Sequence, residues 1–124
     1  MKVFVVNPAF GEGFVKTARW FAKSRGRVQR HPDYLARAVA VLEQAGHECA
    51  FLDAQAKDLP MADVEARFRD FGPDMVVVYA TTPSVAVDLE YARMAKEVTG
   101  GALVVMIGSH VSAEPDDTLT RGAG

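Results

Sequence analysis

Four short apolar runs alternate with segments of helical periodicity, and this alternation constrains the fold more than any other feature of the sequence. The runs cover residues 3–6, 49–52, 75–79 and 103–107. They are continuous and rich in valine rather than interleaved with polar residues, which is typical of parallel strands covered by helices on both faces. The runs therefore predict an α/β fold built on a parallel sheet.

The segments between the runs carry apolar residues three and four positions apart, which indicates one buried stripe on each helix. The stripes are Leu35, Ala38, Val39 and Leu42, then Val64, Phe68 and Phe71, and then Val85, Leu89 and Ala92. Thr82 and Pro83 are suited to cap and to begin the third helix. The alternation predicts right-handed crossovers and a Rossmann-like (flavodoxin-like) three-layer fold, with the strands in the order 2-1-3-4.

The length of the chain, 124 residues, suits a single domain over residues 1–124. The sequence stops at Gly124, where a further strand would normally follow, and an open apolar edge is a liability in a sheet. We therefore expect an N-terminal fragment that is truncated before the fifth strand.

Composition limits the classes of partner and cofactor. The net charge of -2 gives no indication of nucleic-acid binding, and no apolar run approaches the ~20 residues of a membrane span. Without a signal peptide, the chain is expected to be cytoplasmic. A single cysteine, Cys49, cannot hold an iron–sulfur cluster, and we interpret it as a buried apolar side chain. The histidines lack the spacing of a zinc site, so we predict no metal ligand. Because the single cysteine cannot build a cluster, we also predict no catalytic residue in this chain.

Ligands of doubly wound sheets bind beyond the carboxyl ends of the strands, where the strand order reverses. This rule selects the loops after Val6, Tyr79 and Ile107. Residues 81–84, with the sequence Thr-Thr-Pro-Ser, offer donors to a phosphate, an amide or a nucleotide-like group, and helix capping explains them equally well.

In the last of these loops, Gly108 would let a flat ligand approach the backbone closely. His110 is either a ligand-binding residue or an ordinary polar residue of the loop. The connection from Asn7 to His31 is long, and it carries Gly11-Glu12-Gly13 and a basic stretch from Lys16 to Arg30. These basic residues either contact anionic groups or are simply solvated.

Several stretches together resemble the cobalamin-binding N-terminal domain of B12-dependent radical SAM enzymes. The resemblance is carried by Asn7-Pro8, Trp20 with Ser24-Arg25-Gly26, Leu35 to Leu42 with Ala45-Gly46-His47, Pro73-Asp74, Thr81 to Ser84, Asp88, Lys96, Gly108, His110-Val111 and Pro115. It covers nearly the whole chain. The Trp-x-x-x-Ser-Arg-Gly spacing and the Thr-Thr-Pro-Ser segment are most similar to the branch that contains the anaerobic magnesium-protoporphyrin IX monomethyl ester oxidative cyclase.

The resemblance implies that a corrin ring lies over the carboxyl ends of the strands, with its nucleotide tail entering the edge of the sheet. The residues expected to bind the cofactor are Asn7 and Pro8 under the ring, Thr81, Thr82, Pro83 and Ser84 at the tail or its phosphate, and Gly108, Ser109, His110 and Val111 at the rim of the ring.

Methionine-synthase-type B12 domains carry an Asp-x-His-x-x-Gly motif after the first strand, and its histidine binds cobalt. The corresponding segment here, Asn7 to Glu12, has no histidine, so the resemblance implies base-off cobalamin without a protein imidazole. It also implies a cobalamin holder for a C-terminal radical SAM domain, either an oxidative cyclase or a methyltransferase, with the iron–sulfur cluster and S-adenosylmethionine outside this chain. The alternatives are a flavodoxin-like binder of FMN or a nucleotide, and a protein-interaction module whose basic loop docks a partner.

Overall fold

The computed structural model describes residues 1–11, 14–16, 21–23 and 31–122. In chain order its elements are β1 (Lys2–Asn7), β2 (Phe14–Lys16), β3 (Phe21–Lys23), α1 (Asp33–Gln44), β4 (Glu48–Asp53), α2 (Ala54–Lys57), α3 (Met61–Phe71), β5 (Met75–Tyr79), α4 (Val85–Thr99), β6 (Leu103–Ile107), α5 (Ser109–Ala113) and α6 (Pro115–Gly122). A 3₁₀ turn over Thr82–Ser84 leads into α4.

The central sheet is parallel, and its four strands lie in the order β4-β1-β5-β6. In the register of the sheet, Val5 of β1 lies between Phe51 and Val77, and Val77 lies beside Val105. Because these strands contain the four apolar runs, the predicted 2-1-3-4 order is confirmed. The chain forms β4 on one side of β1 and then crosses to β5 on the other side. The strand order therefore reverses between β1 and β5.

Helices α3 and α4 cover one face of the sheet. The core on this face contains Phe4 and Val78 from the sheet, Val64 and Phe68 from α3, and Ala95 from α4. The rings of Phe4 and Phe68 meet edge to face with their centroids 4.8 Å apart, a favoured arrangement for an aromatic pair.

Helix α1 covers the opposite face, which completes the three layers predicted from the sequence. Its Leu35 packs against Val3, Val5 and Tyr79, whose side chains alternate with those that face α3 and α4. Cys49 packs at the margin of this cluster and is half-buried, not fully buried as expected, because it lies on the edge strand β4.

The connection after β1 contains secondary structure that the sequence did not predict. Strands β2 and β3 pair in antiparallel fashion, with Lys16 opposite Phe21. The expectations that rest on Glu12-Gly13, Trp20, Ser24-Arg25-Gly26 and the arginines at positions 19, 25, 27 and 30 fall outside the described residues.

The start of the third long helix also differs from the prediction. Helix α4 begins at Val85 rather than at Pro83, and no side chain caps it. Thr82 lies in the preceding 3₁₀ turn, where its hydroxyl contacts the ring of His110 and not the end of the helix.

Within the ranges that the structure describes, every helix is too short or too polar to cross a membrane.

Candidate functional site

The loops that follow β1, β5 and β6 meet at the carboxyl edge of the sheet. The Ala80 N–H donates to the Ile107 carbonyl oxygen over 2.8 Å, which extends the pairing of β5 and β6 into their loops. The Lys16 ammonium lies 3.4 Å from the Pro8 carbonyl oxygen and 3.2 Å from that of Tyr79, so it joins the ends of β1 and β5. The structure thus brings together the three loops selected from the sequence.

Thr81, Ser84 and Asp88 form a buried hydrogen-bonded group at the start of α4. The Ser84 hydroxyl donates to Asp88 Oδ2 over 2.6 Å, and the Thr81 N–H donates to the same oxygen over 3.2 Å. The hydroxyl oxygens of Thr81 and Ser84 lie 2.6 Å apart. Because the single hydroxyl hydrogen of Ser84 goes to Asp88, the Thr81 hydroxyl is the donor to Ser84. The donors expected to meet a ligand are therefore already used inside the protein.

Asp88 also forms an ion pair with Lys16, and neither side chain has any solvent exposure. Burial lowers the pKa of the Lys16 ammonium and raises the pKa of the Asp88 carboxyl, because desolvation penalises each charge. The attraction between the two groups opposes both pKa shifts. The pair therefore places two opposite charges in the crevice where the strand order reverses.

Asn7 and Pro8 are buried at the end of β1. Asn7 Nδ2 donates to the Lys16 carbonyl oxygen and to Asp53 Oδ1, each over 3.0 Å. Its Oδ1 is buried and finds no hydrogen-bond partner among the residues that the structure describes. The Tyr79 hydroxyl is likewise buried and has no hydrogen-bond partner among the described residues. Since buried polar atoms are normally paired, these two atoms mark places where a ligand or water can supply a partner.

Gln55, in the short helix α2, fastens the connection after β1 to the edge of the sheet. Its Nε2 donates to the carbonyl oxygens of Gly11 over 3.0 Å and of Phe14 over 2.8 Å. Its Oε1 accepts the N–H of Phe10. One buried amide thus satisfies three backbone groups of a segment more than forty residues away.

Gly108 serves the packing of the loops. Its φ is +127°, and a Cβ added there would lie 2.1 Å from the Ala80 carbonyl oxygen. Only glycine fits this approach between the ends of β5 and β6. The glycine is therefore needed for contact between two loops of the protein, a requirement that the sequence-based interpretation did not include.

His110 connects the loop after β5 with α6. Its Nδ1 lies 3.1 Å from Thr82 Oγ1, and its Nε2 lies 3.2 Å from Asp117 Oδ2. Asp117 also accepts from Arg121 Nη1 over 3.4 Å. Both ring nitrogens of His110 are therefore engaged within the protein. In the described part of the chain, no group of three or more His, Cys, Asp and Glu side chains could hold a metal ion.

The predicted site residues differ in accessibility. The buried ones are Asn7, Pro8, Thr81, Ser84 and His110. Thr82, Pro83 and Ser109 are exposed, and Gly108 and Val111 are half-buried. The part of this edge that solvent reaches therefore lies over the loops after β5 and β6.

Two central residues were not singled out from the sequence as site residues. In the sequence, Lys16 belongs to a basic stretch that either contacts anionic groups or is solvated, and only the tertiary structure places this side chain in the interior. Asp88 gave a usable signal, because it lies at i+3 in the apolar stripe of Val85, Leu89 and Ala92. A carboxylate on the buried face of a helix needs a partner, which indicates a buried ion pair or hydrogen-bond network.

A groove of about 640 Å³ lies beside the outer strand β6, between α4 and α6. Gly108 and Val111 line one end of it, and its walls are mostly apolar side chains such as Leu89, Val104 and Leu119. The other predicted site residues lie outside this groove. The loop cluster at the carboxyl edge and the groove are therefore adjacent but separate features.

These features define a doubly wound α/β domain whose loops converge at the carboxyl edge, where the strand order reverses. A family model described as B12 binding domain matches residues 29–124. The chain therefore belongs to the B12-binding domain family, as the resemblance predicted.

Two curated relatives show what kinds of protein contain similar sequences. An uncharacterized methyltransferase of Pyrococcus horikoshii is 31% identical over 95 residues, which cover 69% of this chain and 21% of the relative. The anaerobic magnesium-protoporphyrin IX monomethyl ester cyclase of Cereibacter sphaeroides is 27% identical over 100% of this chain and 20% of the relative. The chain thus spans about a fifth of the length of these relatives. No solved structure was found to match it.

Proposed function

We propose that this chain is the cobalamin-holding domain of a larger B12-dependent radical SAM enzyme. The observation that carries the proposal is the match to the B12-binding family over residues 29–124. Two of the three converging loops, those after β5 and β6, belong to this matched region. The same match favours cobalamin over the FMN or nucleotide ligands that a flavodoxin-like fold would also accept.

The residues at the carboxyl edge fit a large ligand with many hydrogen-bonding groups. Thr82 and Ser109 are exposed on adjacent loops, where their hydroxyls can hydrogen-bond to a ligand lying over the strand ends. Asn7 Oδ1 has no partner in the described structure and can accept a hydrogen bond from an amide. Cobalamin supplies methyl transfer or a radical step when bound, and the residues of this chain would hold and orient it.

We further propose that the cofactor binds base-off and without a protein imidazole. From the last residue of β1 the chain reads Asn7-Pro8-Ala9-Phe10-Gly11, so no histidine stands directly after this strand. His110 comes from another loop, and both of its nitrogens already contact Thr82 and Asp117. Coordination of cobalt by either ring nitrogen would break the contact that this nitrogen now makes.

A partner domain follows from the same proposal. The sequence has one cysteine, Cys49, which cannot ligate an iron–sulfur cluster alone. The cluster and S-adenosylmethionine would therefore be held by another part of the parent protein. One relative is named as a methyltransferase and the other as a cyclase. The relatives therefore support one of these two activities for the parent protein.

Titration of cob(II)alamin into the purified chain tests the binding proposal. We expect saturable binding and the absorption and electron paramagnetic resonance spectra of the base-off form. Ser109→Trp places a bulky ring at the exposed rim and should weaken binding. Thr120→Trp makes the same change on the exposed surface of α6 and should leave binding unaltered. A folded chain that shows no saturable binding refutes the proposal, and equal binding by both variants removes Ser109 from the site.

A further inference from the structure

We propose that the crevice between the ends of β1 and β5 receives an uncharged hydrogen-bond-donating group of the ligand, such as a primary amide or a hydroxyl. We also propose that Lys16 occupies this crevice until the ligand replaces it. This inference rests on the proposed cobalamin-binding function. It adds to that function the chemical class of the ligand group that the crevice recognises. It also identifies Lys16 as the residue that leaves the crevice.

The position of Lys16 is the first observation. Its ammonium contacts the carbonyl oxygen of Tyr79, the last residue of β5, and that of Pro8, the first residue after β1. This is the place where doubly wound sheets bind their ligands. A side chain of the protein itself therefore fills the crevice.

The second observation is that the walls of the crevice are hydrogen-bond acceptors. Lys16 Nζ donates to the Pro8 and Tyr79 carbonyl oxygens and to Asp88 Oδ1. Asn7 Oδ1, at the end of β1, is a further acceptor, and it has no partner among the described residues. A group that takes the place of Lys16 must donate hydrogens, because buried acceptors left without donors are costly.

The third observation concerns charge. Asp88 is held by Ser84 and by the Thr81 N–H, so it stays in place when Lys16 leaves. A phosphate entering the crevice would meet a carboxylate and several carbonyl oxygens, which repel it. An amide or a hydroxyl donates to Asp88 without this repulsion. The phosphate contact at Thr81 and Ser84 that the resemblance allowed is therefore disfavoured.

The departure of Lys16 is energetically feasible. An ammonium is strongly hydrated, so its return to water recovers solvation that burial removed. Burial lowers the pKa of Lys16, which reflects this same penalty. Buried ion pairs also contribute little net stability once their desolvation is included. The ligand therefore has to supply the donors that Lys16 withdraws, and its hydrogen bonds to Asp88 must stabilise a buried carboxylate that has lost its counter-charge.

Amine labelling followed by mass spectrometry tests the exchange in the unaltered chain. Lys16 should react slowly with an acetylating reagent when the chain is free, and roughly tenfold faster or more at saturating cob(II)alamin, since labelling reports the exposed fraction. Lys57 and Lys96 are exposed and serve as internal controls with constant rates. Inorganic phosphate in place of cob(II)alamin should leave Lys16 protected. If Lys16 stays protected while the absorption spectrum shows bound cofactor, or if phosphate exposes it, this inference is wrong and the proposed function stands.

Two substitutions test whether Lys16 blocks the crevice, because the proposal predicts an increase in cofactor binding for one and in Lys16 labelling for the other. Lys16→Met keeps most of the length of the side chain and removes the ammonium, and the variant that circular dichroism shows to be folded should bind cob(II)alamin several-fold more tightly. Weaker binding would mean that Lys16 contributes to the bound state, which overturns the inference.

Asp88→Asn weakens the hold on Lys16 and should raise its labelling rate without any cofactor. Absence of saturable cofactor binding in the unaltered chain, seen in the spectrum alone, overturns the proposed function and this inference together.

Discussion

Lys16 and Asp88 are opposite charges that are completely buried and satisfy one another. Removal of one partner leaves the other charge without compensation in an apolar interior, which costs far more than the pair contributes when intact. Asp88 also accepts from Ser84 and Thr81, so its loss breaks several contacts at once.

We therefore predict that Asp88→Ala lowers the free energy of unfolding by about 3–5 kcal/mol, the usual cost of breaking a buried ion pair. Asp70→Ala removes an exposed aspartate of α3 and should change stability little. Urea unfolding monitored by circular dichroism measures both variants. Similar small losses in the two would show that the buried pair does not form in solution.

At the scale of elements, the edge that carries the candidate site depends on how closely two strand ends approach. The end of β6 touches the end of β5 at Gly108 and Ala80, and His110 then ties α5 to the turn before α4. These contacts fix the positions of Thr82 and Ser109, the exposed hydroxyls of the proposed site.

Gly108→Ala should destabilise the chain more than Gly100→Ala does. Both glycines have positive φ, which costs alanine about 1–3 kcal/mol. Only at Gly108 does the new Cβ also meet backbone, 2.1 Å from the Ala80 carbonyl oxygen, and such overpacking adds about 1–3 kcal/mol. Denaturant unfolding of the two variants gives the comparison. Equal losses would show that the loops separate without cost.

At the scale of the whole molecule, stability depends on two apolar layers that pack on opposite faces of one sheet. Phe68 of α3 is fully buried against the sheet, and its ring packs on Phe4. Leu119 of α6, by contrast, is 73% exposed. The two side chains therefore contribute very differently to the same fold.

Phe68→Ala should cost about 3–5 kcal/mol, because it removes a large buried ring and leaves a cavity. Leu119→Ala is the matched control on an exposed apolar side chain and should have a small effect. The midpoint of urea unfolding measures both changes. A small loss for Phe68→Ala would mean that the core between the sheet and α3 is loosely packed.

Much of this architecture could be read from local patterns alone. Continuous valine-rich runs indicate strands buried on both faces, and stripes at helical spacing indicate the helices that cover them. Right-handed crossovers limit the possible topologies, and the common flavodoxin-like order among them places the three loops at one edge. The sequence by itself therefore determined the layers and the alternation of strands and helices, and it favoured the strand order that brings the three loops to the carboxyl edge.

Only the tertiary structure decided which side chains occupy that edge. Lys16 and Asp88 are 72 positions apart, and no local pattern pairs a lysine in a basic stretch with one acid on a distant helix. The same holds for Gln55, which binds backbone groups more than forty positions away. Periodicity reports which face of an element is buried, whereas a buried charge or amide is paired by whatever the folded chain brings within hydrogen-bond distance. Local sequence patterns therefore indicate where the crevice lies. Which side chain occupies it depends on the tertiary structure.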